Sequence, residues 1–386
     1  MKRSLAEFSA LGLLAALLSC LAMVLAGGGP AHGREPSFRV ATWALPLGSQ
    51  ARIYETFCGL KAMLTFLNSR GGINGRLVDF YSQEMDDATP NFPARLNTMI
   101  QQSQPDIVVG GAVAARSGDT SDYFRRTGLV WFGPWSQRSS LYRGEKSDPV
   151  GLVPSLDHQL DMLLDYAAPR LGPGAEVLIL WQDGPGGQSD FDPGIASGKV
   201  ESHGLSPVLV AIPWRFRDWA SLKEPAQGAK AVLLWVPSGP AAAIVRVLKP
   251  TLPDGTLFLT HALNPPGVGL VEMTGGLWES MVFPSILRRD PILLQAYDAI
   301  IQKYGPPGLE PNYLSYLGVA QAQIMTRLLV SHRTTTTRED VRRDFLGVDA
   351  HGTMLVAPSF GSGPPQAGAS YLAKASRARG WEPVGD

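Results

Sequence analysis

The chain has 386 residues, with 34 Lys plus Arg balanced by 34 Asp plus Glu and an apolar fraction of 45 %. That length favours two domains over one, and the apolar fraction is enough to build packed cores. A nucleic-acid-binding protein would show a basic excess, so the even charge argues against a nucleic-acid partner.

Residues 1–33 read as an export segment. Lys2 and Arg3 precede an apolar run from Leu11 to Ala26, and Gly27 to Gly33 breaks it with a small-residue cleavage pattern, Ala31-x-Gly33. The apolar run falls short of the roughly 20 residues that a spanning helix needs. Leu17-Leu18-Ser19-Cys20 also resembles a lipoprotein signal, with Cys20 as the attachment point, but Leu21 to Ala26 stays apolar where small or polar residues are usual. Simple export is the favoured reading. No later segment is long and apolar enough to span a bilayer. The only cysteines are Cys20 and Cys58. Cleavage near Gly33 leaves Cys58 as a lone thiol, expected as a small buried hydrophobe.

From Phe38 the pattern becomes regular. A strand over 38–43 precedes a helix with Ile53, Phe57, Leu60, Leu64 and Leu67 on one face, which ends in Asn68 to Gly75. A strand from Arg76 to Ser82, a helix carrying Leu96, Met99 and Ile100, and a strand over 106–111 follow. This β-α-β-α-β order is the unit of an open, mostly parallel sheet, which places its ligands at the carboxyl ends of the strands. A helix over 119–127 and a strand over 128–134 extend it. Ser155 can cap the next helix, which holds Leu160, Leu163, Leu164 and Ala167. A second alternation then begins, with strands 177–181, 208–212, 232–236 and 257–260, and a helix from Pro240 to Leu248. A short strand near Met281, helices over 291–304 and 316–331, a further helix opening at Thr337, and a Gly- and Pro-rich tail around Gly361 to Pro365 complete the chain. The fold class is α/β, with two doubly wound lobes.

Enzyme signatures are missing. The six histidines are scattered, with no His-x-x-x-His pair or Cys/His cluster to hold zinc. Residues 184–189 resemble a phosphate loop without its lysine, and there is no Gly-x-Ser-x-Gly elbow. Glu84, Asp86 and Asp87 read as a solvated turn ahead of a helix more readily than as a metal site. No metal and no cofactor is expected.

Asn68-x-x-Gly71-Gly72-Ile73-x-Gly75, the acidic turn Asp86-Asp87-Ala88-Thr89-Pro90 and the strand Ile107-Val108-Val109-Gly110 together resemble the first lobe of type I bacterial solute-binding proteins. Those closest in kind are the branched-chain amino-acid binding proteins of ABC importers. Val153-Pro154-Ser155-Leu156-Asp157 is similar to their first hinge. The resemblance runs from Phe38 to about Leu329 and is poor after Gly352. It implies a monomeric, periplasmic two-lobed clamp that closes on a small molecule by hinge motion and hands it to an ABC permease or another inner-membrane partner. One lobe would comprise 34–153 plus 264–350 and the other 154–263 plus 351–386, with crossovers near 153, 263 and 350.

The resemblance also marks where the amino-acid signature departs. The hydroxyl that would meet a ligand carboxylate falls on Ala114, and a family threonine position falls on Gln137. The acid that would hold an ammonium group lies near His261 or Ala262, neither of which is acidic. Tryptophans stand at or near predicted strand ends instead: Trp43, Trp131, Trp135, Trp181 and Trp235. Trp131 and Trp235 read equally well as core, whereas Trp43, Trp135 and Trp181 are expected at the cleft. Large aromatics at a cleft rim favour an apolar or amphipathic ligand. Arg52 and Arg116 could pair with an anionic group. Gln188, Ser238, His261 and Asn312 complete the candidate contacts. The resulting expectation is an exported, non-catalytic solute-binding subunit. Its alternatives are an amino-acid or amide binder, a lipid carrier or sensor and, from another class, a periplasmic hydrolase.

Overall fold

The computed structural model describes residues 37–44, 53–113, 117–138, 141, 151–152, 155–182, 191–261, 278–284, 291–331, 370–376 and 380–383. The first lobe is built on a four-stranded parallel sheet of order β2-β1-β3-β4, from β1 (Phe38–Ala44), β2 (Val78–Glu84), β3 (Ile107–Val109) and β4 (Trp131–Phe132). Alternating residues of a strand point to opposite faces, and β1 shows the consequence. Val40 packs with α1 (Ile53–Ser69), α7 (Pro291–Tyr304) and α8 (Tyr313–Ser331), through Leu60, Leu64, Ile301, Leu317 and Ile324. Ala41 and Trp43 turn the other way, toward α2 (Phe92–Ser103) and α3 (Ser117–Thr127), and meet Phe92, Leu96, Met99 and Phe124.

Helices α1 and α8 touch along their backbones. A Cβ on Gly59 would lie 1.9 Å from the carbonyl oxygen of Ser315, and one on Gly318 would lie 1.9 Å from that of Thr56. Each helix thus places a glycine where the other helix's backbone passes. Cys58, beside Gly59, is buried as expected, and burial raises its thiol pKa above the ordinary value.

The second lobe carries a seven-stranded sheet of order β11-β10-β9-β8-β7-β5-β6. Its parallel part comprises β5 (Glu176–Gln182), β6 (Ser206–Ile212), β7 (Ala231–Trp235), β8 (Leu257–Thr260) and β9 (Trp278–Pro284). Strands β10 (Ser370–Ser376) and β11 (Gly380–Pro383) extend it antiparallel. Helices α4 (Leu156–Leu171) and α5 (Pro193–Ser202) cover one face with Leu160, Leu163 and Val200 against Val177 and Ile179. Helix α6 (Ser238–Leu248) covers the other with Ile244 and Leu248 against Leu178 and Leu180. Ser155 caps α4, its hydroxyl accepting from the His158 N–H.

One expectation about the lobes is corrected. The expected first lobe takes in 264–350 whole, yet β9 hydrogen-bonds to β8 and lies in the second sheet. A seven-residue strand has no local mark of which sheet it joins; the free edge of β8 decides. The export segment with Cys20, the helix expected at Thr337 and the 361–365 tail lie outside the described residues. No described helix is long and apolar enough to cross a membrane.

Candidate functional site

The carboxyl end of β3 is glycine, Gly110-Gly111, at φ of 69° and 88°. Each glycine lies against an indole. A Cβ on Gly110 would come within 2.5 Å of the Trp135 ring, and one on Gly111 within 2.4 Å of the Trp43 ring. The close approach and the left-handed backbone both call for glycine here. This packing decides the fate of three of the five tryptophans. Trp43 is fully buried, donates its indole N–H to the Ala112 carbonyl at 3.0 Å, and stacks parallel to Phe124 with Trp131 at its side. Trp131 is buried with it and donates to the Gly110 carbonyl at 2.8 Å. Trp135 is 3 % exposed and donates to Gln321 Oε1 at 2.8 Å, while Gln321 Nε2 donates to the carbonyls of Phe132 and Gly133. Trp43 and Trp135 are therefore corrected from cleft to first-lobe interior. A residue at or just past a strand end still packs inward when a nearby glycine leaves room for its ring.

Asn312 is a second correction. Its side-chain oxygen accepts from the N–H groups of Leu314 and Ser315 at 2.9 and 3.2 Å, and its amide donates to the Glu310 carbonyl. Its side-chain oxygen serves as the N-cap of α8. Ser238 opens α6. Arg52, Ala114, Arg116 and Gln188 lie outside the described residues. Asp86 caps its own turn, its carboxylate accepting from Ala88 N–H, and no three His, Cys, Asp or Glu residues converge among those described.

What the structure does bring together is a row across the carboxyl edge of the second sheet. Trp181 on β5 pairs in register with Trp235 on β7, and His261 follows the last paired residue of β8, opposite Trp235. The His261 ring stacks on Trp235 at 4.5 Å and 17°. Phe191 bridges the two indoles, 5.3 Å from Trp181 and 5.5 Å from Trp235. Trp235 and His261 are buried, whereas Trp181 remains partly exposed. Parallel strands in register put these rings on the same face about 5 Å apart per strand. Trp181, at the end of the row, is the one of the three that keeps exposed ring-bearing surface.

The first lobe meets this row through Gln137, just beyond β4. Its backbone carbonyl accepts from Leu156 N–H at 2.7 Å, at the start of α4. Its side chain accepts from Gln159 Nε2 at 2.8 Å and contacts His261 Nδ1 at 3.0 Å. Gln137, expected to touch ligand, thus spends its side chain on the second lobe, and Gln159 is a partner the sequence reading missed. Helical spacing from the Ser155 cap would have aimed Gln159 at the apolar face; only the position of Gln137 reveals its use. Gln182, beside Trp181, was also missed. It is 9 % exposed, with Nε2 reaching the Pro213 carbonyl at 3.4 Å and Oε1 enclosed without a hydrogen-bond partner among the described residues. Trp214, two residues past β6, is partly exposed on the same carboxyl edge.

Burial lowers the pKa of His261 to about 3, so its imidazole is neutral at pH 7. The unfolded chain takes up a proton near pH 6.5 and the folded chain does so only near pH 3. Stability is therefore lost as pH falls through that window, by about 2 kcal/mol between pH 7 and pH 5. Urea denaturation at both pH values should show this loss in the native protein and a correspondingly smaller loss in His261→Gln. An equal loss in both would assign the effect elsewhere.

The periplasmic binding protein family profile matches residues 56–364. Among curated proteins, none matches the sequence. The fold is similar to a branched-chain amino acid ABC transporter protein from Thermus thermophilus with bound valine (TM-score 0.76, 17 % identity, 92 % of this chain and 97 % of that one). It is similar also to the isoleucine complex of a branched-chain amino acid transporter substrate-binding protein from Streptococcus pneumoniae (0.71, 17 %, 90 % and 99 %). A fatty acid ABC transporter substrate-binding protein from Thermomonospora curvata is comparable (0.70, 14 %, 92 % and 93 %). At such identities these neighbours speak to the fold, two parallel-sheet α/β lobes, and the profile match speaks to descent. The chain belongs to the periplasmic binding protein family.

Proposed function

We propose that this protein is the exported solute-binding subunit of an ABC-type transport system. It captures a small apolar or amphipathic ligand between its lobes and delivers it to a membrane permease. The observation that carries the reading is the row Trp181, Trp235 and His261 at the carboxyl edge of the second sheet, facing Gln137 of the first lobe. Open α/β sheets bind ligands at that edge. The partly exposed Trp181 supplies apolar surface there. The lobes are read as 34–153 with most of 264–350, and 154–263 with β9 and 351–386, joined by crossings near 153, 263 and 350. Export is directed by residues 1–33, with Cys20 as the point of attachment if a lipid is added. A fatty-acid-like ligand is the second reading, favoured by the fold's likeness to the Thermomonospora curvata protein.

Native mass spectrometry of the purified protein, followed by thermal shift across amino acids, amides, aromatic acids and lipids, tests the assignment. A ligand of the folded state raises the melting temperature by mass action. The expected result is a small molecule retained and released intact, and a shift with apolar or amphipathic members. Turnover of a hit, or no capture and no shift with any class, would overturn the reading. Trp181→Ala should weaken the captured ligand by about 1–3 kcal/mol through lost apolar burial. Unchanged affinity by titration calorimetry would remove Trp181 from the site.

A further inference from the structure

Three buried side chains form a relay from α4 to the end of β8. Gln159 Nε2 donates to Gln137 Oε1 at 2.8 Å. With its oxygen so engaged, the Gln137 amide can offer only N–H to His261 Nδ1, 3.0 Å away. A ring nitrogen that accepts carries no proton, so the neutral imidazole holds its hydrogen on Nε2. The stack on Trp235 fixes the ring plane. His261 Nε2 has no hydrogen-bond partner among the described residues, and the residue as a whole keeps an exposure of 8 %. The ring lies at the crevice edge of the sheet, in the same row as Trp181.

We propose that His261 is a ligand-contacting hydrogen-bond donor, that Gln137 and Gln159 are positioning residues that keep its proton on Nε2, and that this pole of the cleft takes an acceptor oxygen and rejects an ammonium group. The proposal rests on the solute-binding reading and names the chemistry of one pole of that site. A fixed N–H facing an ammonium leaves two donors opposed and neither satisfied, a penalty that discriminates against the wrong ligand. An oxo or carboxyl oxygen completes the relay with a fourth member. Gln182 lies on the other face of the sheet and does not enter it.

Long-range ¹H–¹⁵N NMR of the ¹⁵N-labelled protein at pH 7, with His261→Gln to assign the ring, reads the tautomer without any ligand. The expected spectrum has a pyrrole-type Nε2 and a pyridine-type Nδ1. Gln159→Leu should replace it with a mixture of tautomers. An Nδ1–H form or an imidazolium in the native protein overturns the relay, whether or not the variant folds. Titration calorimetry with leucine and with 4-methyl-2-oxopentanoate, which differ by an oxo group in place of the ammonium, reads the ligand chemistry. The oxo acid should bind at least tenfold tighter. Equal or tighter binding of leucine, or binding of neither, overturns the acceptor assignment. Failure of the solute-binding reading itself would appear separately, as the absence of any captured molecule in native mass spectrometry.

Discussion

Gly59→Ala is expected to lower the stability of the folded protein by about 3 kcal/mol or more, at the upper end of what overpacking costs. The added methyl would sit 1.9 Å from the Ser315 carbonyl oxygen, 2.7 Å from its carbon and 3.0 Å from its Cα. These are backbone atoms of α8, so no side-chain rotation can relieve the contact. The helices must separate, and that would loosen the packing of Leu60 and Leu64 against Leu317. The melting temperature should fall on the order of 6 °C. Gly318→Ala should do the same, because its methyl would meet the Thr56 carbonyl oxygen at 1.9 Å and the Leu60 nitrogen at 2.6 Å. The two positions form one contact, so the double variant should lose less than the sum of the two. A shift below 1 °C for both single variants, measured by scanning calorimetry, would mean that the helices do not touch in this way.

Trp135→Ala carries the second large effect, a loss of about 3–5 kcal/mol in folding stability. The indole is buried among first-lobe residues, lies over Gly110, and satisfies Gln321 Oε1. Removal leaves a cavity and an unpaired buried acceptor, and both terms destabilise. The contrast with Trp181 discriminates interior from cleft. Trp181→Ala should act mainly on ligand affinity, because its ring is partly exposed at the end of a stack. Trp135→Ala should act mainly on the unfolding midpoint in urea. If Trp135→Ala left that midpoint unchanged and abolished ligand binding, Trp135 would belong to the cleft after all.

That contrast shows where sequence reasoning reached its limit. The apolar period of α1, the β-α-β-α-β order and the Ser155 cap are local properties, and they are legible because backbone hydrogen bonding and side-chain spacing act over a few residues. Position at or near a strand end is also local, and it puts Trp43, Trp135 and Trp181 in one class. Their directions are not local. Gly110 and Gly111 received two of the rings, while Trp181 was left at the rim with Phe191 against it. Gln137 stands where the resemblance leads one to expect a threonine, but its use depends on His261, 124 positions away.

Residue order alone is enough to read an α/β chain of two doubly wound lobes, with the carboxyl edges of its strands as the place to look. Periodicity and turn chemistry need no distant partner to be read. Long-range packing settles which tryptophans are interior, that β9 joins the second sheet, and that Gly59 and Gly318 each lie against the other helix's backbone. It alone brought Gln159, Gln137 and His261 into one relay. Each of these depends on which surfaces come within van der Waals or hydrogen-bonding distance after the chain has closed on itself, and no window of neighbouring residues contains that information.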